Sequence, residues 1–385
     1  MGSRDRFVLD SVMGLSDGLL IIVPPFIDSL LSSMAILHER FRRGLATHLT
    51  LLTLAQLEYL NDTISNYNAI LLVDPPNVLR LEGIGEIFSS KRIFVISRGN
   101  VKWLSADSHL EYDGSLPQLI WQFLGNELDK ESMRFLEAAV VYESSSSNYD
   151  ASSFSGWLNA EPTSYIALPG ILRLPLSAVI SRAFSPAIPG LTGNEAEAKD
   201  LVKAVGRRLD VTYTDLTEDQ VMDLLRYLGD FMLRAGFRGE YLDKLVFTNR
   251  KWLGLNVDVL DSLLALEAQL ALWEYAGGIV DPILNPQSVE VANNVIIKYI
   301  SILSNYLNQL SKVGITLNNQ QLTLADRLCS ILSFSFEKHD ETFSTPDASL
   351  QISCVFSGNV KEADIIFNRS DYSITVRGLP NEDQR

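Results

Sequence analysis

Three short, largely apolar runs in the first hundred positions place the strongest constraint on the fold. They are GLLIIV at Gly18–Val23, NAILLVD at Asn68–Asp74 and RIFVIS at Arg92–Ser97. Strands that are covered on both faces of a sheet are almost continuously apolar, whereas half-exposed strands alternate with polar residues. A segment with helical spacing of its apolar residues, IDSLLSSMAILHERFRR, follows the first run. This alternation of buried strands and helices predicts an α/β fold with a mainly parallel sheet.

Two segments end this first part of the chain. DGSLPQLIWQFLGNEL is typical of a helix that Ser115 caps, with a proline in its first turn. The run MRFLEAAVVYE, at Met133–Glu143, fits either the end of a helix or a further strand. A polar segment at 144–156 follows and separates the predicted sheet from the rest of the chain.

Helical patterns dominate the middle of the chain, and a small sheet is expected near its end. DLTEDQVMDLLRYLGDFML begins with Thr217 and Gln220 at capping-box spacing. Three runs beyond position 350 alternate apolar and polar residues, as short strands do. The predicted domains are an α/β domain at 1–195, a helical region with a connector helix at 196–315, and a small α/β domain at 316–385.

Charge narrows the classes of partner. The chain has 385 residues and a formal net charge of -15. A strongly acidic protein repels nucleic acid over most of its surface, so contact with DNA would need a local basic groove. Cys329 and Cys354 lack the spacing of metal ligands and are interpreted as buried thiols. The acidic charge therefore favours protein partners or simple solubility over nucleic acid.

The most apolar window, Gly18–Leu37, fits a membrane span poorly. It contains two prolines and Asp28, so a buried strand, a turn and a helix explain it better. The first ten residues also lack the apolar core of a signal peptide. We therefore expect a cytoplasmic protein with no membrane partner.

Several segments, in this order, resemble the RecJ-like branch of the DHH phosphoesterase superfamily, in particular its archaeal members. The segments are LRLPLSAVISRAFSPAIPGLTGNEAEAKDLVKAVG, VTYTDLTEDQVMDLLRYL, ALWEYAGGIVDP and ADIIFNRSDYSITVRG. The resemblance covers nearly the whole chain, and the shared order carries it. It implies a DHH-type domain at 1–195, a helical connector, and a DHH-associated domain at 316–385.

In active members of this superfamily, the metal ligands lie at strand ends. An Asp-x-Asp-Gly follows the first strand, an Asp ends the second, Asp-His-His ends the third, and another Asp follows a fourth segment. Carboxylates and imidazoles of this kind hold two divalent ions, which activate water against a phosphodiester.

This chain departs from that signature. The positions that match it, by the resemblance, are Asp28, Asp74, Ser97, Arg98, Gly99 and Glu143. Ser97-Arg98-Gly99 stands where Asp-His-His is expected, and none of the four histidines falls on a motif. An arginine cannot lose its proton to become a metal ligand. The resemblance therefore implies a degenerate site with no catalytic residue, no metal and no cofactor.

The remaining acids also have plain structural interpretations. Asp28 follows two prolines and suits a helix N-cap or a turn, which we favour over a metal ligand. Asp74 precedes two prolines and is typical of a strand that ends in a turn. Glu143 stands before a run of serines and is expected to be solvated. A further hypothesis pairs Arg98 with Asp74, so that an internal salt bridge replaces the metal.

The resemblance implies a function in DNA replication. A RecJ-like protein without its ligands corresponds to the eukaryotic cell-division-cycle 45 replication factor. We therefore expect a non-catalytic, nucleoid-associated subunit that binds the GINS complex and, through it, supports the MCM helicase. The alternative is an enzyme, a divergent metal-dependent single-strand DNA exonuclease or oligonucleotide phosphodiesterase of the same superfamily.

Single-stranded DNA is a further expected partner, independent of catalysis. It would occupy the former substrate cleft, and the arginines that could line this cleft are Arg98, Arg173, Arg182 and Arg377. Arg377 matches, by the resemblance, an arginine that faces nucleic acid in the associated domain. An exposed strand arginine without a ligand is an equally good interpretation of that position.

Overall fold

The structure is a computed structural model. The residues that it describes are 3–51, 60–75, 88, 90–98, 106–112, 114–146, 160–162, 166–183, 188, 190–206, 208–234, 250–252, 254–272, 281–309, 341–344, 351–355, 365–368 and 373–376. They divide into two compact units, one formed from 1–139 with the strands beyond 340, the other from 140–308. The domain limits expected from the sequence stay a prediction.

A five-stranded parallel sheet forms the centre of the first unit. Its strands are β1 (Leu19–Val23), β2 (Thr47–Leu51), β3 (Ala69–Val73), β4 (Arg92–Ser97) and β5 (Ser108–Glu111). Their order is β2-β1-β3-β4-β5, and every neighbouring pair is parallel. All residues of β1 and β3 are buried, as continuous apolar runs require. The predicted α/β class with a mainly parallel sheet is therefore confirmed.

Helices flank this sheet. They are α1 (Ser3–Gly14), α2 (Ile27–Arg42), α3 (Leu60–Ser65), α4 (Leu116–Leu124) and α5 (Lys130–Ser146). Ser115 caps α4 as predicted, because its side chain accepts a hydrogen bond from the Gln118 N–H at 3.3 Å. The ambiguous run at Met133–Glu143 is helical throughout, since it lies within α5.

The second unit is mainly helical. Its elements are β6 (Ala160–Pro162), α6 (Leu176–Ser181), α7 (Glu195–Ala204), α8 (Glu218–Arg234), β7 (Arg250–Trp252), α9 (Val259–Leu272) and α10 (Asn293–Gln309). The Gln220 side chain accepts the Thr217 N–H at 3.1 Å, which confirms the predicted start of α8. One face of α8, with Leu224, Leu228 and Met232, is buried in the core of this unit.

A four-stranded sheet near the end of the chain comprises β8 (Glu341–Ser344), β9 (Gln351–Val355), β10 (Ile365–Asn368) and β11 (Ser373–Val376). The sequence predicts the last three strands but not β8. Among the described residues, no helix is both long and apolar enough to cross a lipid bilayer.

Candidate functional site at the strand ends

Four neighbouring strands of the parallel sheet deliver polar side chains at their carboxyl ends. Asp28 lies in the first turn of α2, after β1, and Asp74 directly follows β3. Arg98 directly follows β4, and Tyr112 directly follows β5. Carboxyl ends of parallel strands meet at one edge of a sheet, which is where α/β proteins bind ligands. These four residues are called the strand-end cluster below.

Arg98 holds the cluster together. Its Nη2 donates to Asp28 Oδ2 at 2.5 Å, and its Nε donates to the Tyr112 hydroxyl at 2.8 Å. The Arg98 side chain is 15% exposed and that of Asp28 is 2% exposed, so the ion pair is largely shielded from water. A charge-assisted bond of this length in a shielded place is strong, and it orients the guanidinium toward the sheet edge.

The N-cap interpretation of Asp28 is wrong. The N-cap residue of α2 is Phe26, whose side chain makes no capping bond, and the helix begins at Ile27. Asp28 is a buried residue of the first turn. There its negative charge is favoured by the helix dipole, and its carboxylate is engaged by Arg98.

Asp74 accepts hydrogen bonds from three other residues. The Ser29 hydroxyl donates to Oδ2 at 2.7 Å, and the Tyr112 hydroxyl lies 2.8 Å from Oδ2 and 3.0 Å from Oδ1. The Arg98 backbone N–H donates to Oδ1 at 3.2 Å. The sequence hypothesis paired Arg98 with Asp74. In the structure the guanidinium forms an ion pair with Asp28, and Asp74 is joined to Arg98 through this N–H and through Tyr112.

The backbone of Asp74 is strained. Its φ is 42°, and it is the one non-glycine residue with positive φ among those that the structure describes. Residues with a side chain reach this left-handed region at a cost, although Asp tolerates it better than most. The Asp74 N–H also donates to the Ile96 carbonyl at 2.8 Å, which fixes the turn against β4. Strain of this kind is kept where the surroundings hold a side chain in a required position.

Burial dominates the protonation equilibria of the cluster. It raises the pKa of Asp74, an effect that the charge of Arg98 only partly offsets and that of Asp28 increases. Burial also raises the pKa of Tyr112 well above its ordinary value. Tyr112 therefore stays neutral and donates its hydroxyl proton to Asp74 while it accepts from Arg98.

Ser97, the residue before Arg98, makes a different contact. Its Oγ lies 2.8 Å from Nε2 of His109 on the neighbouring strand β5. Burial lowers the pKa of His109, an effect that Glu111 opposes. The ring therefore favours its neutral form, which can accept the serine proton. Ser97 is buried, so this pair ties β4 to β5 at the end of the strand.

The other sequence candidates lie elsewhere. Gly99 and Arg377 fall outside the described residues. Glu143 belongs to the part of α5 in the second unit, and it is buried, so the expectation of a solvated side chain is wrong. Arg173 and Arg182 also belong to the second unit.

Those two arginines are largely buried and hold protein partners. Arg173 Nε pairs with Asp261 Oδ2 at 2.5 Å, and Arg182 Nη2 donates to the Asn293 side-chain oxygen at 2.8 Å. Burial lowers the pKa of Arg182, while Asp261 counteracts this shift. Both guanidiniums therefore serve the internal packing of the second unit.

Sequence reasoning missed Ser29 and Tyr112. Ser29 directly follows Asp28 and could have been suspected as a hydroxyl near the first strand end. Tyr112 follows β5, which carries no continuous apolar run and was not predicted. No sequence signal therefore pointed to its role between Arg98 and Asp74.

The donor set decides what this cluster can bind. Asp28 and Asp74 offer carboxylate oxygens, but Arg98 and three hydroxyl or amide donors already engage them. Across the part of the chain that the structure describes, one group of three His, Cys, Asp or Glu side chains is close enough to share a metal ion. It consists of His38, Asp129 and Glu131, and it does not include the strand-end cluster.

Comparison with known proteins gives distant structural similarities. No protein-family model and no curated protein sequence matches the chain. The crystal structure of CDC45 from Entamoeba histolytica is similar with a TM-score of 0.49 and 9% identity, over 92% of this chain and 76% of that one. RecJ in complex with Mn²⁺ from Thermus thermophilus has a TM-score of 0.40 and 12% identity, over 92% of this chain and 47% of that one. Exonuclease RecJ bound to manganese has a TM-score of 0.40 and 12% identity, over 89% of this chain and 82% of that one.

Proposed function

We propose that this chain is a non-catalytic, RecJ-like subunit of the replication machinery that binds the GINS complex and supports the MCM helicase. The observation that carries the loss of catalysis is the position of Arg98. Its guanidinium is bonded to Asp28 at the edge of the sheet where a two-metal site of this superfamily would need ions.

A fixed cation at this edge opposes metal binding in two ways. It engages the Asp28 carboxylate, which is the one acid that the sequence offers after the first strand. It also repels an incoming cation. A divalent ion held about 4 Å from a guanidinium would meet a repulsion of roughly 8 kcal/mol at an effective dielectric constant of about 20. The acids at the strand ends are then structural partners of arginine.

The replisome role rests on the order of the sequence segments and on charge. The segments that resemble the RecJ-like branch lie in the same order along nearly the whole chain. A net charge of -15 suits a protein that is held in an assembly by protein contacts. A processive nuclease needs a basic groove that follows a single strand. Arg98 and Arg173, which were considered for such a groove, are engaged by buried acids.

Two assays on the purified full chain test this proposal. Co-elution with the GINS complex of the same organism on a sizing column is expected, at salt concentrations that suppress non-specific contacts. In parallel, a labelled single-stranded oligonucleotide is incubated with the chain and Mn²⁺. No cleavage above a protein-free control is expected.

The enzymatic alternative makes the opposite prediction with a clear control. Mn²⁺-dependent cleavage that is lost in Asp74→Asn, but kept in the variant Asp219→Asn of an exposed acid on α8, would establish a divergent nuclease. A chain that neither cleaves nor co-elutes with GINS would refute the replisome role while leaving the loss of catalysis in place.

A further inference from the structure

The one group of side chains that is close enough to share a metal ion, among the described residues, lies away from the strand ends. His38 lies on α2, while Asp129 and Glu131 lie at the start of α5. His38 Nδ1 is 3.6 Å from Asp129 Oδ1, and His38 Nε2 is 3.0 Å from Glu131 Oε2. One ligand atom from each of the three residues can be chosen so that all lie within 4.8 Å of one another. These three residues are called the α2–α5 donor group below.

We propose that the α2–α5 donor group binds one Zn²⁺ ion and thereby fastens the start of α5 to α2. One imidazole nitrogen and two carboxylate oxygens are ordinary zinc ligands, and a water molecule would complete four-coordination. The imidazole also selects among ions, because Mg²⁺ and Ca²⁺ prefer oxygen ligands. The proposal is independent of the replisome role, since it uses none of the strand-end cluster.

Neighbouring residues orient two of the three proposed ligands, Asp129 and His38. Asp129 accepts the Ser132 N–H at 2.8 Å, which holds its carboxylate at the start of α5. The Asp129 carboxylate is therefore already oriented, as outer hydrogen bonds orient a ligating carboxylate in metal sites.

The imidazole is also held in place. His38 Nδ1 lies 3.0 Å from Ser132 Oγ, and the ring packs at a tilt against Phe135, with 6.2 Å between centroids. A metal-bound histidine usually has its second nitrogen bonded to an oxygen, which fixes the tautomer and the ring orientation. Ser132 offers that oxygen to Nδ1, which leaves Nε2, on the side of the more exposed Glu131, to bind the ion.

An ion can reach this group from solvent. The His38 side chain is 26% exposed and that of Glu131 is 60% exposed. The two carboxylates carry negative charge, and Arg42 near Asp129 is itself paired with Glu39. A favourable charge for a divalent cation remains. The competing interpretation is that hydrogen bonds alone, without a metal, hold the three side chains together.

Isothermal titration of the metal-free full chain with ZnCl₂ tests the proposal. Wild type is expected to bind one zinc ion per chain, and MgCl₂ is expected to give no saturable heat. His38→Gln should abolish binding, and Glu131→Gln should weaken it at least about tenfold, because each removes one ligand. Matched controls are His48→Gln, which removes the histidine that contacts Tyr67, and Glu197→Gln, an exposed acid on α7. Both controls should bind as wild type does.

X-ray absorption at the zinc edge provides a second readout, with nitrogen and oxygen ligands at about 2.0–2.1 Å expected. Absence of saturable zinc binding to wild type would overturn the proposal and leave the interpretation that hydrogen bonds alone hold the three side chains together. Zinc binding that survives both His38→Gln and Glu131→Gln would also overturn it, because the ion would then lie elsewhere. Glu131 is exposed, so Glu131→Gln is expected to fold and to test the proposal even if His38→Gln does not fold.

Discussion

Asp74 joins the features that define the candidate site at the scale of single residues. It is buried, it has a left-handed backbone, and it accepts bonds from Ser29, Tyr112 and the Arg98 N–H. A carboxylate with this many donors stays in place without a metal. The energetic cost of the backbone and of burial is therefore partly offset by hydrogen bonds within the chain.

The backbone strain at Asp74 predicts that glycine is tolerated better than alanine at this position, the reverse of their order inside a helix. Both Asp74→Gly and Asp74→Ala remove the carboxylate, but only glycine adopts φ near 42° without a steric cost. We expect Asp74→Gly to be more stable than Asp74→Ala by about 1 kcal/mol in urea unfolding. At Asp200, an exposed position inside α7, the glycine variant should instead be less stable than the alanine variant. Equal stability of the two Asp74 variants would contradict the strained backbone.

The raised pKa of Asp74 predicts a pH dependence with a definite sign. The folded chain holds the Asp74 proton more tightly than the unfolded chain does, whose aspartates ionise near pH 4. As the pH rises above about 4 and passes the folded pKa, the unfolded state has fewer bound protons and the stability from this group is lost. The free energy of unfolding of wild type relative to Asp74→Asn should therefore fall over this window.

Urea unfolding of both proteins between pH 4 and pH 7 measures this difference, since contributions from other groups cancel in the comparison. Asp219→Asn on α8 serves as the control and should track wild type. If the free energy of unfolding of wild type relative to Asp74→Asn instead rises with pH, the charge of Arg98 outweighs burial.

The ion pair between Arg98 and Asp28 predicts a large loss on removal of one partner. Arg98→Met leaves the Asp28 carboxylate buried without this ion pair, which should cost about 3–5 kcal/mol. The double variant Arg98→Met with Asp28→Asn should recover part of this loss, because no buried charge then remains from the pair. Arg226→Met removes an exposed pair with Asp223 and should cost no more than about 1 kcal/mol. If the losses from Arg98→Met alone and Asp28→Asn alone add up to the loss of the double variant, the two side chains are not coupled.

At the scale of elements, the central strands could be predicted from the sequence and the edge strands could not. β1 and β3 are continuous apolar runs because helices and neighbouring strands cover them on all sides. β2 and β5 lie at the edges of the sheet, where part of each strand is exposed and polar residues are tolerated. THLTL and SHLE therefore carry too weak a signal for a strand.

This limit extends to the candidate site. Asp74 and Arg98 follow β3 and β4, whose ends could be located, so their approach was predictable from topology. Tyr112 follows the unpredicted β5, and its position between the two could not be inferred. Glu143 was misjudged because its neighbouring serines suggested solvent, whereas α5 continues through it to Ser146.

The N-terminal cap of α4 predicts that the stability of the protein depends on the hydroxyl group of Ser115. Ser115→Ala removes the acceptor of the Gln118 N–H and should cost about 1 kcal/mol in urea unfolding. Ser115→Thr keeps a hydroxyl at the cap and should retain most of the stability. If both variants lose the same free energy, packing of Ser115 rather than capping is responsible.

At the scale of the whole molecule, charge limits the ligands. With a net charge of -15, and with Arg98, Arg173 and Arg182 engaged internally, we expect weak binding of single-stranded DNA that disappears at physiological salt. Fluorescence anisotropy of a labelled oligonucleotide at increasing NaCl concentrations measures this. Tight binding that persists at about 0.15 M salt and is reduced by Arg98→Gln would instead show that the strand ends accept DNA.

The strand-end cluster also has a consequence for how the protein responds to its environment. An ion in a metal site has a dissociation constant, so its occupancy changes with supply, competition and chelation. The guanidinium of Arg98 is covalently attached to the chain and has no free concentration. Its partnership with Asp28 therefore cannot be diluted away or exchanged for another cation, and it persists for as long as the sheet itself stays folded.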